Sequence, residues 1–175
     1  MVTYAILLRG VTPTGKNKVP MADLRTALGN AGLLDVQTYI QSGNVIAKTA
    51  ADRASLPALV QAAIAREIGA EIEIIVRTHQ ELKDVLAGNP FPLHAASRTY
   101  FSLLASSPAP ALVEDFRQLG FAPDEVELAG RTLYTLYATR HSDSKFTNNF
   151  FERKLKVVAT TRNFNTLSRL VELSA

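Results

Sequence analysis

The sequence predicts an α+β protein made of two fused halves, residues 1–89 and 90–175, packed as one compact unit. Three observations carry this reading. Short apolar runs and helix-period stripes alternate in the order βαββαβ over the first 77 residues. After a linker at 89–96 rich in Pro and small residues, the order begins again. Each half also carries a small-residue turn, Ser42-Gly43 or Ala129-Gly130, between its second and third strands.

In the first half, residues 3–9 form an apolar strand followed by a Gly, Pro and Lys loop at 10–19. Ala5 and Leu7 lie on one face of that strand, with Tyr4, Ile6 and Leu8 on the other, so both faces of its sheet should be covered. Pro20 suits a first helical turn, and Met21, Leu24, Leu28 and Ala31 recur at helical spacing until Gly32. Residues 36–41 and 44–49 are β-rich and flank Ser42-Gly43, which reads as a two-residue hairpin. Leu56, Leu59, Val60, Ala63, Ile64 and Ile68 form the stripe of a second helix, and 71–77 the next strand. Thr78-His79-Gln80-Glu81 is a capping box opening a short third helix, because Thr and Glu three apart can bond each other's backbone N–H.

The second half predicts a strand at 98–105, a helix at 110–119, strands at 125–128 and 132–138, and a helix at 145–156. In place of a clear strand as sixth element it offers only Val157-Val158-Ala159. A final helix follows, capped by Thr160 or Thr161, with Phe164, Leu167 and Val171 on one face. The halves therefore read βαββαβ and βαββα plus a C-terminal helix, the ferredoxin-like order.

Composition narrows the class without naming a reaction. The 175 residues are 47% hydrophobic and 20% charged, carry a net charge of +3 and contain no cysteine. That removes disulfides, thiolate metal sites and cysteine nucleophiles, and it fits a reducing cytoplasm. No run approaches a membrane span, and the N-terminus lacks the pattern of a secretory leader. A soluble protein of the cytoplasm, with no membrane partner, no metal and no cofactor, is the expectation.

The loop Gly10-Val-Thr-Pro-Thr-Gly15-Lys16-Asn17 has the G-x-x-x-x-G-K skeleton of a phosphate-binding P-loop. It departs from one in chemistry. Asn17 replaces the Mg²⁺-holding Ser or Thr, Pro13 removes a cradling N–H, and the helix begins only at Pro20. Topology gives the loop another use. In a split βαβ unit the loop after strand one and the hairpin between strands two and three share an edge, which here gathers Arg9, Lys16, Asn17 and Lys18 with Gln41, Ser42 and Asn44. No carboxylate precedes Asp23, so the cluster is an expected site for an anion or nucleotide.

Several blocks carry a resemblance. Leu7-Leu8-Arg9-Gly10, Gly15-Lys16-Asn17-Lys18-Val19, Thr38-Tyr39-Ile40-Gln41-Ser42-Gly43-Asn44-Val45, Asn89-Pro90-Phe91 and Ala159-Thr-Thr-Arg162-Asn163-Phe164-Asn165-Thr166 together resemble the bacterial family called "domain of unknown function 1697". Thr12-Pro13-Thr14 stands where that family commonly has Asn-Val-Gly. The resemblance implies no activity, cofactor or catalytic residue.

Charge is uneven along the chain. Between residues 140 and 169 lie seven cations (Arg140, Lys145, Arg153, Lys154, Lys156, Arg162, Arg169) against Asp143 and Glu152, interleaved with Phe146, Phe150, Phe151 and Phe164. Such a segment can follow phosphates and stack bases, but at helical spacing its phenylalanines read equally as a buried stripe with a wet basic face. Lys145, Arg162 and Asn163 join the candidate ligand-binding set, the last two where a helix opens. His79, His94 and His141 are too scattered to declare a metal site. His141-Ser142-Asp143-Ser144 holds triad residue types that, being adjacent, cannot adopt triad geometry among themselves.

The expected function is therefore the binding of an anionic ligand, meaning a nucleotide, a phosphate or a nucleic-acid backbone, at the loop and hairpin. Two alternatives stand beside it. One is an enzyme on a phosphorylated or carboxylated small molecule, using Lys16 or Arg9 for charge stabilisation. The other is a protein-interaction domain in which the polar edge is incidental.

Overall fold

A computed structural model describes residues 1–175. The chain divides into two compact units, Met1–Leu82 with Leu170–Ala175, and Lys83–Arg169. Each contains a four-stranded antiparallel sheet.

The first unit runs β1 (Val2–Leu8), α1 (Met21–Asn30), β2 (Leu34–Tyr39), β3 (Asn44–Thr49), α2 (Leu56–Glu67) and β4 (Ile74–Thr78), with strand order β2-β3-β1-β4. One sheet face, carrying Tyr4, Ile6, Leu8, Val45, Ala47, Ile74 and Val76, shares a core with the helices. Leu24 and Leu28 of α1 and Leu56, Val60 and Ile64 of α2 are fully buried there, each contributing roughly 1.5–3 kcal/mol through burial. Ala5, Leu7, Ile46 and Ile75 on the opposite face are buried as well, as the two-sided apolar pattern of β1 predicts. The capping box opens α3 (His79–Ala87): the Thr78 N–H donates to Glu81 Oε2 at 2.8 Å and the Glu81 N–H to Thr78 Oγ1 at 3.2 Å. The C-terminal residues complete this unit, with Ser174 buried and its Oγ 3.1 Å from His79 Nδ1.

The second unit runs β5 (Thr99–Leu104), α4 (Pro110–Arg117), β6 (Glu125–Ala129), β7 (Thr132–Leu136), α5 (Asn148–Leu155) and β8 (Ala159–Asn163), in the order β6-β7-β5-β8, before α6 (Phe164–Leu173) leads out. Phe116, Phe146, Phe151 and Leu155 pack with Leu104, Leu133 and Ala159 in its core.

Three local expectations are corrected. The second unit does have a fourth strand, β8, as its sixth element, where a brief 157–159 segment and a threonine cap were expected. Thr160 and Thr161 lie in register with Leu103 and Ser102 of β5, and the cap is Asn163, whose Oδ1 accepts the Thr166 N–H at 2.8 Å. Threonine suits both strands and caps, so the sheet partner decides. Second, the first hairpin turn spans residues 40–43, since Tyr39 pairs with Asn44. Third, α5 begins at Asn148, three residues later than expected, because Thr147 Oγ1 accepts the Phe150 N–H and fixes the helix start.

The two units repeat one another in register. Tyr4 of β1 lies opposite Ala47 and Thr78, and Tyr100 of β5 opposite Thr135 and Asn163. Thr78 and Asn163 each open the helix that follows, and each is preceded by a buried arginine, Arg77 or Arg162. The bond from the Leu8 N–H to the Gly43 carbonyl recurs as Leu104 N–H to Arg131, both at 2.9 Å. No helix in the structure is long and apolar enough to cross a membrane.

Candidate functional site

The antiparallel registers Leu7↔Asn44 and Leu8↔Ile74 bring the end of β1, the start of β3 and the start of β4 to one edge of the first sheet. The 10–19 loop therefore lies beside the 40–43 turn. The Arg9 N–H donates to the Glu73 carbonyl at 2.9 Å, fixing where the loop leaves the sheet. The loop then closes on itself: the Thr12 N–H donates to Asn17 O at 3.1 Å, the Lys18 N–H to Gly15 O at 3.2 Å, and Thr12 Oγ1 to Thr14 O at 2.8 Å.

Gly43 is the seat of the loop. Its φ of +83° is open to glycine, and an added Cβ would lie 2.6 Å from Leu8 Cβ and 3.0 Å from Val11 Cγ2. Ile40, in the same turn, also has a positive φ, +50°, and is 50% exposed. A β-branched residue in that conformation is strained.

The donors at this edge fall into two groups. Asn44 is wholly buried and its Nδ2 donates to Tyr39 O at 3.0 Å and Ser42 Oγ at 2.8 Å, so its amide nitrogen braces the turn. By contrast, the backbone N–H groups of Gly15, Lys16 and Asn17 make no hydrogen bond within the chain. Lys16 and Lys18 are exposed and pair with no carboxylate. Asn17 is half-buried, its Nδ2 3.9 Å from where a Gly10 Cβ would stand, and Gln41 is exposed. Three unengaged N–H groups and two unpaired ammonium groups thus gather on the loop, and Glu73, immediately before β4 on the same edge, has its carboxylate engaged by Gln61 Nε2 at 3.2 Å.

The sheet chemistry excludes the P-loop alternative: β1 is flanked by antiparallel strands, and α1 starts four residues past Asn17, so no helix N-terminus cradles the loop.

Lys145, Arg162 and Asn163 belong to the second unit. Lys145 is exposed, with Nζ 5.4 Å from the Phe146 ring centroid. Arg162 is buried, donates to Thr160 Oγ1 at 2.7 Å and to Thr161 O at 3.0 Å, and burial pulls its pKa down to about 10. It keeps its charge near neutrality. The Asn163 amide oxygen is engaged as the α6 cap. In the surrounding basic stretch, Phe146 and Phe151 are core residues, while Arg153 and Lys154 lie 5.6 and 5.7 Å from the half-buried Phe150 ring. Those phenylalanines form the buried stripe, and the cations lie along its wet side.

Sequence reasoning missed a hydroxyl and amide chain in the second unit. Ser102 Oγ lies 2.7 Å from Thr161 Oγ1, which donates to Asn148 Oδ1 at 2.9 Å, while Asn148 Nδ2 donates to Ala159 O at 2.9 Å. An asparagine inside a predicted helix was its only trace, and its role is to tie α5 to β8. His141 Nδ1 lies 2.9 Å from Tyr100 Oη, and Asp143 faces Arg140, so no triad forms. No group of three or more His, Asp or Glu side chains is arranged to hold a metal ion.

Comparison with known proteins gives three findings. The model of the family described as "Protein of unknown function (DUF1697)" matches residues 1–134. The conserved bacterial protein SP0830 from Streptococcus pneumoniae has a similar solved structure, with a TM-score of 0.77 over 99% of this chain and 98% of that one at 21% identity, which establishes likeness of fold. No curated protein matches.

Proposed function

We propose that this chain, which belongs to the DUF1697 family of proteins of unknown function, binds an anionic ligand bearing phosphate or carboxylate at the 10–19 loop and the 40–43 turn. One observation carries the reading. The two units share strand order and register but differ in their connections, and at the edge where β1 and β5 end it is the first unit whose connections are longer. Twelve residues separate β1 from α1 where five separate β5 from α4, and the turn has four residues where its counterpart has two. Both additions lie side by side, and between them they carry the unengaged N–H groups of Gly15, Lys16 and Asn17 and the unpaired Lys16 and Lys18. Extra loop length at one point of a repeated scaffold, filled with donors and cations, fits a binding role better than a connecting one. Lys16 and Lys18 supply charge, the three N–H groups supply direction, and Asn44 and Gly43 hold the turn that seats them. The cysteine-free composition supports a reducing cytoplasm as the setting.

Amide NMR titration with inorganic phosphate, a nucleoside monophosphate and a single-stranded oligonucleotide tests this. Shifts centred on Gly15, Lys16 and Asn17, weakened by about tenfold or more in Lys16→Ala/Lys18→Ala, are expected. A steep loss with added salt for the oligonucleotide alone would select the nucleic-acid backbone. Absence of shifts at the loop with all three probes overturns the proposal.

A further inference from the structure

We propose that the open edge of β6 is a docking site for an extended segment of a partner protein in which basic residues alternate with apolar ones, adding a strand to the second sheet. β6 ends that sheet and pairs only with β7. The two-residue turn makes Ala129 and Thr132 a hydrogen-bonded pair, so Glu125, Glu127 and Ala129 bond to β7 while Val126 and Leu128 turn their N–H and C=O groups outward. Arg117 agrees: its guanidinium reaches the outward Leu128 carbonyl at 3.3 Å.

The side chains state what would fit. Val126 and Leu128 are half-buried at the rim of a groove of about 360 Å³ bounded by Phe116, Leu119 and Phe121, with Arg117 and Glu127 at its margin, room for a large apolar side chain. Glu125 and Glu127 are exposed, and their carboxylates make no ion pair or hydrogen bond. A strand laid along β6 would set apolar residues opposite Val126 and Leu128 and place its alternate residues opposite the carboxylates, where Lys or Arg is favoured.

The corresponding edge of the first sheet is closed to such pairing. There β2 shifts register between Leu34 and Gln37, Asp35 takes a φ of +51°, and its carboxylate pairs with Lys48 at 2.8 Å. Bulges and charges of this kind blunt an edge, whereas β6 has five residues in unbroken register and only the exposed Arg117 guanidinium, at 3.3 Å from the Leu128 carbonyl, for an arriving strand to displace. A second copy of this chain is a poor occupant, since pairing β6 with β6 sets carboxylate against carboxylate.

The test titrates the full chain with a blocked peptide Lys-Leu-Lys-Leu-Lys and with its counterpart Glu-Leu-Glu-Leu-Glu, followed by amide NMR. The basic peptide should shift the amides of Val126 and Leu128 and the acidic one should not. Val126→Pro removes an outward donor without touching the ladder to β7 and should weaken binding about tenfold. Glu127→Lys should reverse the preference towards the acidic peptide, and it carries the test if the proline variant fails to fold. No shift at Val126 and Leu128 with millimolar basic peptide, equal response to both peptides, or concentration-dependent shifts of β6 in the peptide-free chain would each overturn the proposal.

Discussion

The Gly43 carbonyl accepts the Leu8 N–H at 2.9 Å while the Gly43 α-carbon presses so close to Leu8 that a β-carbon would stand 2.6 Å from the Leu8 Cβ. Leu8 is wholly buried and Gly43 has positive φ, so neither side can give. Gly43→Ala should destabilise the chain by about 2–4 kcal/mol, combining left-handed strain with overpacking. Urea unfolding measures it. A loss as small as that of Gly15→Ala, where nothing stands within 4 Å, would contradict the close seating of loop on hairpin.

Ile40 tests the same turn from the opposite direction. Its positive φ is strained for a β-branched side chain, and half of it is in water. Ile40→Asn should raise stability by about 1 kcal/mol, because asparagine tolerates this conformation. A stabilised variant that also binds phosphate more weakly would show that the strain serves the ligand. A drop in melting temperature would mean that Ile40 packs more than its exposure indicates.

Thr135 is wholly buried in β7, and its Oγ1 has no hydrogen-bond partner. Thr135→Val keeps shape and strand preference while removing the unsatisfied hydroxyl. A gain of about 1 kcal/mol is expected in denaturant unfolding. Unchanged or lower stability would show that the hydroxyl is satisfied in solution.

Burial alone would raise the Glu81 carboxyl above its ordinary 4.5. The Arg53 hydrogen bond, the Thr78 N–H and the charges of Arg53 and Arg77 outweigh it and hold the pKa lower. A carboxyl lowered by folding stabilises the native state above the unfolded pKa, and that contribution fades as pH falls through the folded one. Stability should therefore decline on acidification below pH 4.5 more steeply in the natural chain than in Glu81→Gln, which keeps the capping geometry but loses the charge. Parallel slopes in unfolding midpoints between about pH 6 and about pH 3 would count against this role.

Much of this architecture was legible because its signals are local. Thr78 and Glu81 stand three apart and form the reciprocal cap that their spacing announces. Leu56, Val60 and Ile64 repeat at helical period and are buried. The adjacency of the Lys16 loop and the Ser42 turn followed from strand order alone. What escaped depended on partners distant in sequence. Thr160, Thr161 and Arg162 look polar enough to cap or coil, and only pairing with β5 makes them a strand. The four-residue turn rests on an isoleucine in a conformation its side chain disfavours, which no propensity suggests. Asn44 carries the residue type of a ligand donor, but burial turns its amide nitrogen inward to the turn.

The return of residues 170–175 to the first unit has a consequence for how the chain is made. Ser174 meets His79 only after the whole second unit has been synthesised, so the N-terminal unit emerges first from the ribosome but is finished last. Until then the His79 ring lacks its Ser174 partner, and the N-terminal unit leaves the ribosome without the segment that belongs to it.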